Sequence, residues 1–354
     1  MRKILIAIFI AVVFTSIYAE EDISWQVEEY LDGYNDAYIY GDYQKAIDLG
    51  TSALGVIEKK FGPDHPNDAA MINNLATLYK IKGNYAQADE LYQKALGIYE
   101  LTLGLDNLYT AKVWNALGEN YQAWRKFNEA ESSYNNSIDI LEKNLGSNDP
   151  AVAIVRSHLG SLYLDQHKYA EAESILKTSL QAIADSGQEY PKLIRLASDM
   201  GKLYEKQQKF TEAEQYYRYA WGVFKSCFYQ EDASIDKAIN RLKSEAAKLW
   251  SQINEPIYKR LMDINDLYIG PWHPDAPRVL DNLPMLYLKE TRYAEAVNIY
   301  EDSLEIMMSN LGQEHLNVAK VLENMAKFYR KMNKPDKAKE ASEKAEFIRS
   351  KKRY

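Results

Sequence analysis

A repeat of about 42 residues constrains this chain more than any other feature. An aromatic position recurs in steps of 41 or 42 residues, at Tyr43, Tyr85, Phe127, Tyr169, Phe210 and Tyr293, with Ser251 and Pro335 at the two other places. A tyrosine stands six residues before this position, at Tyr79, Tyr121, Tyr163, Tyr204, Tyr287 and Tyr329, and an alanine stands three residues after it in every copy except Asn254. A single frame therefore runs through the chain, which predicts an array of similar units.

Each unit has the pattern of two amphipathic helices. In the second repeat, Leu75 and Tyr79 lie four residues apart, the polar segment 82–84 breaks the pattern, and Tyr85 and Ala88 restart it. Apolar residues spaced by three or four positions indicate helices with one buried face. The tyrosine and alanine columns are therefore expected in the core, where the small residue lets two helices approach closely.

Short joints connect the units: FGPDHP, LGLDNL, LGSNDP, GPWHPD and LGQEHL. Glycine suits the end of a helix, and Asp or Asn before proline suits the start of the next one. Three histidines, His65, His273 and His315, stand in these joints. Neighbouring joints are expected about 8–10 Å apart, too far to share one bound metal ion. The sequence therefore predicts no metal site and no cofactor.

This pattern resembles the tetratricopeptide repeat. The 42-residue period and the joint at residues 61–66 look like the kinesin light chain subtype, and the resemblance covers residues 20–354. It implies an all-α fold, a right-handed α-solenoid of about eight stacked helix-turn-helix repeats, one of them degenerate.

The repeat pattern divides the chain into four segments. Residues 1–19 precede the repeats, residues 20–227 hold five units, residues 228–270 form a degenerate repeat or irregular connector, and residues 271–354 hold further repeats with a basic C-terminal capping helix. Pro284 lies within a helical pattern and is expected to kink it. An irregularity or hinge is thus expected within residues 228–290.

The first 19 residues have the layout of a cleavable secretory signal. Arg2 and Lys3 precede an apolar run that ends at Phe14, and a short polar stretch leads to Ala19. The run is shorter than the roughly 18 residues usually needed to span a bilayer, although an uncleaved anchor is the alternative. The sequence predicts an exported protein, periplasmic or secreted. Its single cysteine, Cys227, cannot form an intramolecular disulfide and is expected to be a small buried residue.

The mature chain is acidic. Without Arg2 and Lys3 it carries 41 basic and 51 acidic residues, a net charge of −10, which argues against nucleic acid as a main ligand. Residues 326–354 are an exception, with eleven Lys or Arg and four Asp or Glu. Membrane contact is expected only through this basic end.

The sequence contains no recognisable catalytic motif. There is no His-Glu-x-x-His, no glycine-rich phosphate loop with lysine, no Gly-x-Ser-x-Gly and no cysteine pair for zinc. We therefore predict a protein that is not an enzyme.

The resemblance implies a partner-binding groove lined by the first helix of each unit. Its inward positions correspond here to Asn73, Thr77, Lys80, Asn115, Glu119, Gln122, Ser157, Ser161, Ser198, Lys202 and Glu205. Polar side chains of this size can hydrogen-bond a peptide or a helical segment of another protein. The leading hypothesis is a protein–protein interaction scaffold.

Two alternatives remain open from the sequence. One is an enzyme or enzyme regulator that uses the irregular region 228–270. The other is a structural spacer whose basic C-terminal end docks on a membrane or an acidic partner.

Overall fold

The computed structural model describes residues 25–185, 191–228 and 280–351. These residues form fourteen α-helices and contain no strand. The helices are α1 Trp25–Ile39, α2 Tyr43–Phe61, α3 Pro66–Ile81, α4 Tyr85–Leu103, α5 Leu108–Ala123, α6 Phe127–Leu145, α7 Pro150–Asp165, α8 Tyr169–Asp185, α9 Pro191–Lys206, α10 Phe210–Phe228, α11 Asn282–Lys289, α12 Tyr293–Leu311, α13 Leu316–Lys331 and α14 Pro335–Lys351. The predicted signal segment, His273 and residues 229–270 of the degenerate unit lie outside the described residues.

Consecutive helices form hairpins: α1 with α2, α3 with α4, and so on to α13 with α14. We call the short turn within each hairpin its tip, and we number the hairpins by their place in the repeat, so that α9 and α10 form the fifth and α11 and α12 the seventh. The predicted all-α architecture of stacked helical hairpins is confirmed.

The chain divides into two compact units. Of the described residues, the first unit contains 25–38 and 43–116, and the second contains 39–42, 117–228 and 280–351. Each unit is treated by itself below.

Glycine on the first helix lets the two helices of a hairpin come close together. A Cβ atom added at Gly118 would lie 2.5 Å from the ring of Tyr134, and one at Gly201 would lie 2.3 Å from the ring of Tyr217. Both rings are buried. The ring of the second helix thus occupies the space that a larger residue on the first helix would need, which is the close approach expected from the sequence.

Within the second unit, tyrosines of the column join the fourth, fifth and seventh hairpins to the hairpins before them. Tyr204 and Tyr287 are buried, and their hydroxyls donate to Glu173 at 3.1 Å and to Glu214 at 3.0 Å. Tyr163 donates to Glu131 in the same way, at 2.8 Å. The column therefore provides a hydrogen bond between hairpins as well as buried ring area, which explains why tyrosine rather than phenylalanine recurs there.

The fifth and seventh hairpins contact each other directly. Glu214 of α10 accepts from Tyr287 of α11, which repeats the contact of Glu173 in α8 with Tyr204 in α9. In the second unit, α11 therefore packs against α10 in the place that the first helix of the next repeat would take.

The joints begin the first helices with side-chain caps. The Nδ1 atoms of His65 and His315 accept the backbone N–H groups two residues further on, at 3.2 and 3.0 Å. Asn107 and Asp149 supply an oxygen in the equivalent joints, at 2.9 and 2.8 Å. The two histidines thus satisfy donors that a helix start leaves open.

Pro284 lies in the first turn of α11 and is buried. The helical pattern is interrupted at Asp281, and α11 begins at Asn282. A proline in a first turn removes no helix hydrogen bond, because the N–H groups of that turn have no partner within the helix. The irregularity therefore falls just before the proline.

Candidate protein-binding surface

The predicted groove residues of the first unit lie on α3 and α5. Asn73 is buried, and the Thr77 hydroxyl donates to its backbone carbonyl at 3.1 Å and lies 2.9 Å from the Tyr92 hydroxyl. Lys80 and Asn115 are partly exposed. Thr77 thus helps to hold α3 against α4, in addition to any role at the surface.

Three serines predicted for the groove are buried in the second unit. Ser157, Ser161 and Ser198 are each less than a tenth exposed. The Ser157 hydroxyl donates to the carbonyl of Ile154 at 2.7 Å, within its own helix. Little of their surface is therefore available to a ligand.

A charged cluster connects the first helices of three successive hairpins. Oε1 of Glu119 on α5 accepts from Nη1 of Arg195 on α9 at 3.2 Å, and it lies 3.6 Å from Nδ1 of His158 on α7. The His158 ring lies 6.0 Å from the ring of Tyr134. The cluster shows that the three first helices share one surface of the second unit.

Two buried tyrosines of the second helices reach the same surface from below. The Tyr134 hydroxyl donates to Gln122 at 2.8 Å, and Gln122 donates to Asp165 at 2.6 Å. In the fifth hairpin the Tyr217 hydroxyl donates to Glu205 at 2.8 Å, and Glu205 also binds Lys289.

The hydroxyls of these two tyrosines remain neutral donors. Burial raises the pKa of Tyr134 well above its usual value, and the pKa of Tyr217 is raised by burial and by Glu205. They therefore position Gln122 and Glu205 over the whole physiological pH range. We name the surface formed by Glu119, Gln122, His158, Arg195, Asp199, Lys202 and Glu205 the first-helix face.

The structure brings together some predicted residues and leaves others apart. Glu119, Gln122, Lys202 and Glu205 belong to the first-helix face, with Lys202 bound to Asp199 at 3.0 Å. Sequence reasoning missed His158, Arg195 and Asp199. His158 and Asp199 directly follow the predicted Ser157 and Ser198, and Arg195 lies three residues before Ser198, so a wider helical stripe would have included them.

Several cations of the basic C-terminal end are paired with carboxylates. Arg349 donates two hydrogen bonds to Glu323, at 2.6 and 3.1 Å, and Lys351 binds Glu314. Within α14, Lys344 binds Glu340 at 2.7 Å. This pairing lowers the charge that the C-terminal helix offers to a membrane or an acidic partner.

Neither a metal site nor a membrane helix is found in the described ranges. No group of three or more His, Cys, Asp or Glu side chains could hold a metal ion among residues 25–185, 191–228 and 280–351. Over the same ranges, no helix combines the length and the apolar character needed to cross a bilayer.

Several solved structures are similar to this chain. The BtubC (BKLC) protein of P. vanneervenii is 22% identical, with a TM-score of 0.46 over 59% of this chain and 93% of that one. A putative kinesin light chain of Podosopora anserina is 20% identical, with a TM-score of 0.45 over 57% and 94%. The Rap conjugation gene regulator of the plasmid pLS20, solved in complex with the Phr* peptide, is 12% identical, with a TM-score of 0.50 over 92% and 74%. No curated protein matches the chain.

The tetratricopeptide repeat family matches the sequence in five stretches. Four of them overlap, residues 37–101, 68–143, 109–184 and 151–220, and the fifth, residues 275–350, is separate. Because these stretches cover more than half of the sequence and coincide with the stacked hairpins, the chain belongs to the tetratricopeptide repeat family.

Proposed function

We propose that this protein is a non-enzymatic scaffold that binds a peptide or helical segment of another protein on its first-helix face. The observation that carries the proposal is the contact of Glu119 with both His158 and Arg195. It makes one polar surface out of three consecutive hairpins. Such a surface can follow a ligand segment over several residues and hydrogen-bond its backbone.

The chemistry of the face also supports recognition rather than catalysis. Glu119 and Gln122 accept hydrogen bonds from neighbouring hairpins or second helices, so their positions are held before a ligand arrives. Preorganised polar groups lose less conformational entropy on binding than mobile ones. The Rap regulator, which shares the fold, holds a peptide in its solved complex, so the fold is compatible with a peptide ligand.

The test is affinity capture from native extract with a matched pair of variants. The double variant Glu119→Ala, Lys202→Ala removes one acidic and one basic residue from the first-helix face. The control, Glu212→Ala, Lys143→Ala, removes the same charges from exposed sites on α10 and α6. We expect a protein captured by the wild type and by the control to be lost with the first-helix variant. Equal recovery by both variants, each with wild-type helicity by circular dichroism, would contradict the proposal.

We further propose that the scaffold is exported after removal of residues 1–19. The support is the sequence order of Arg2 and Lys3, the apolar run and Ala19. N-terminal sequencing of the protein from the cell envelope or the medium is expected to begin at Glu20. Recovery of the chain only from the cell interior, with its first residues intact, would contradict export.

A further inference from the structure

A row of basic residues follows the hairpin tips of the second unit. The tips at residues 124–126, 166–168, 207–209, 290–292 and 332–334 end in Lys126, Lys168, Lys209, Arg292 and Lys334. Arg125 adds a further cation to the third tip. The 354-residue sequence carries a formal net charge of −8, so this row has the opposite sign to the chain as a whole.

Neighbouring tips of the second unit lie side by side. Gln122 lies two residues before the third tip, and it donates at 2.6 Å to Asp165, which directly precedes the fourth tip. Gln207 of the fifth tip donates at 3.3 Å to Glu173, which lies five residues after the end of the fourth tip. The seventh tip and Met332 of the eighth line one shallow cavity of about 410 Å³. The cations therefore form a continuous edge, which we call the tip edge.

Three lysines of the tip edge lie over rings instead of carboxylates. The Nζ atoms of Lys126, Lys168 and Lys209 lie 5.7, 5.0 and 5.5 Å from the ring centroids of the column tyrosines in their own hairpins. Among the described residues, none of these lysines forms a salt bridge, whereas Lys177 and Arg218 on the second helices do. An ammonium over an aromatic face keeps donors directed to solvent, so these cations are held in place and available.

The middle residue of each tip has a positive φ angle, in the left-handed region that is unfavourable for residues with a Cβ atom. The φ angles of Arg125, His167, Gln208 and Thr291 are 63, 62, 62 and 61°. Glycine adopts this conformation freely, as Gly83 does in the second hairpin, while other residues lose about 1 kcal/mol there. The four side chains are exposed, so burial does not offset the strain. These four tips of the second unit thus keep exposed side chains at a cost to stability.

We infer that the tip edge is a second docking surface, which binds an acidic segment of another protein. The row is about one cation wide, with a tip cation in each described hairpin of the second unit, which suits a narrow anionic chain better than a flat bilayer. Arg292 is already paired with Glu214, Glu290 and Glu295, so the third to fifth tips carry the charge that a ligand would meet. Hairpins stack about 8–10 Å apart, and an extended chain advances about 3.3 Å per residue. A carboxylate at every third residue of the segment would therefore meet successive tips.

The probe for this inference is a fluorescein-labelled 20-residue peptide with glutamate at every third position and serine elsewhere. The tip variant is Lys126→Gln, Lys168→Gln, Lys209→Gln. The control, Lys143→Gln, Lys339→Gln, Lys344→Gln, removes the same charge from exposed sites away from the tips. We expect the full chain to bind the peptide, at least tenfold weaker binding by the tip variant, and less than twofold weaker binding by the control.

Three results would overturn the inference. They are the same loss of affinity in both variants, no binding of the peptide by the wild type, and tip-dependent binding of phosphatidylserine vesicles without binding of the peptide. The variant Glu119→Ala, Lys202→Ala is expected to bind the acidic peptide like the wild type. Failure of the first-helix proposal and failure of this inference are therefore distinguishable.

A second pair of variants separates docking from folding. Arg125→Gly relieves the backbone strain and removes a cation, so we expect a higher melting temperature together with weaker binding of the acidic peptide. Thr291→Gly relieves the same strain without changing charge, so we expect a higher melting temperature and unchanged binding. Unchanged binding by Arg125→Gly would contradict a docking role for the third tip.

Discussion

The Tyr287 hydroxyl donates a hydrogen bond of 3.0 Å to Glu214, a residue 73 positions earlier in the chain. Arg292 approaches the same carboxylate at 2.9 Å. The pair Tyr204 and Glu173 makes the equivalent contact one repeat earlier, at 3.1 Å. The fifth and seventh hairpins are therefore joined by the contact that joins the fourth and fifth.

Replacing the carboxylate should weaken this junction. Hydrogen bonds from Arg292, the largest contribution, hold the pKa of Glu214 at about 2, below its usual 4.5. A lowered pKa in the folded state stabilises the protein above pH 4.5, and this stabilisation is lost as the pH falls toward 2. We expect Glu214→Gln to cost roughly 1–2 kcal/mol at pH 7, allowing for the partial exposure of the pair, and to flatten the pH dependence below 4.5. Urea unfolding at several pH values measures both effects.

The control for this change is Glu212→Gln, at an exposed position of the same helix. Its free energy of unfolding should stay within about 0.5 kcal/mol of the wild type. If Glu214→Gln also stays within that range, the contact does not stabilise the junction.

Asp68 is expected to have the opposite pH dependence. Burial raises its pKa from 3.8 to about 6, although it accepts the backbone N–H of His65 at 3.0 Å. A raised pKa of an acid in the folded state gives stability that is present below pH 3.8 and lost as the pH rises through 6. Asp68→Asn keeps an acceptor for His65 without a buried charge. We expect it to be more stable than the wild type by about 1 kcal/mol at pH 7, and no more stable near pH 4.

Thermal unfolding of Asp68→Asn at both pH values, with the exposed Glu90→Gln as control, checks this expectation. If the stability of Asp68→Asn differs from that of the wild type by the same amount at pH 4 and at pH 7, burial does not penalise the charge.

Two glycine-to-alanine changes should have opposite effects. Gly201→Ala would place Cβ 2.3 Å from the Tyr217 ring and force the helices apart, at a cost of about 1–3 kcal/mol. Gly97 lies within α4 with open space at its Cβ position, so Gly97→Ala should stabilise the protein by about 0.5–1 kcal/mol. Denaturant midpoints measure both. A neutral Gly201→Ala would mean that the hairpin repacks around the added methyl group.

The histidine cap of α13 should contribute measurably to stability. His315 is buried, and its Nδ1 accepts the Asn317 N–H at 3.0 Å. His315→Ala leaves this donor without its acceptor and should cost about 1–2 kcal/mol. His315→Asn retains a capping oxygen and should lose less stability in the same melting experiment. Equal losses would assign the effect to packing of the ring rather than to the cap.

Much of the fold follows from local sequence pattern. Within one hairpin, the apolar spacing places Leu75 and Tyr79 on the core side of α3, and the tip and joint residues mark where helices stop. Each of these features depends on residues a few positions apart. The predicted groove stripe included Ser157 and Ser198 and omitted their neighbours His158 and Asp199, although all four side chains are buried. A helical period indicates a face, but it does not tell which residues of that face are covered by the next helix.

The repeat by itself determined the all-α class, the hairpin as the unit and the buried alanine column, because helical periodicity and helix capping act over a few residues. Only the tertiary structure decided that Glu119 meets Arg195, 76 positions away, and that α11 follows α10 in the stack. Contacts of this kind depend on the rotation between successive hairpins. That rotation results from the packing of many core side chains of neighbouring hairpins together, and no single segment of the sequence specifies it.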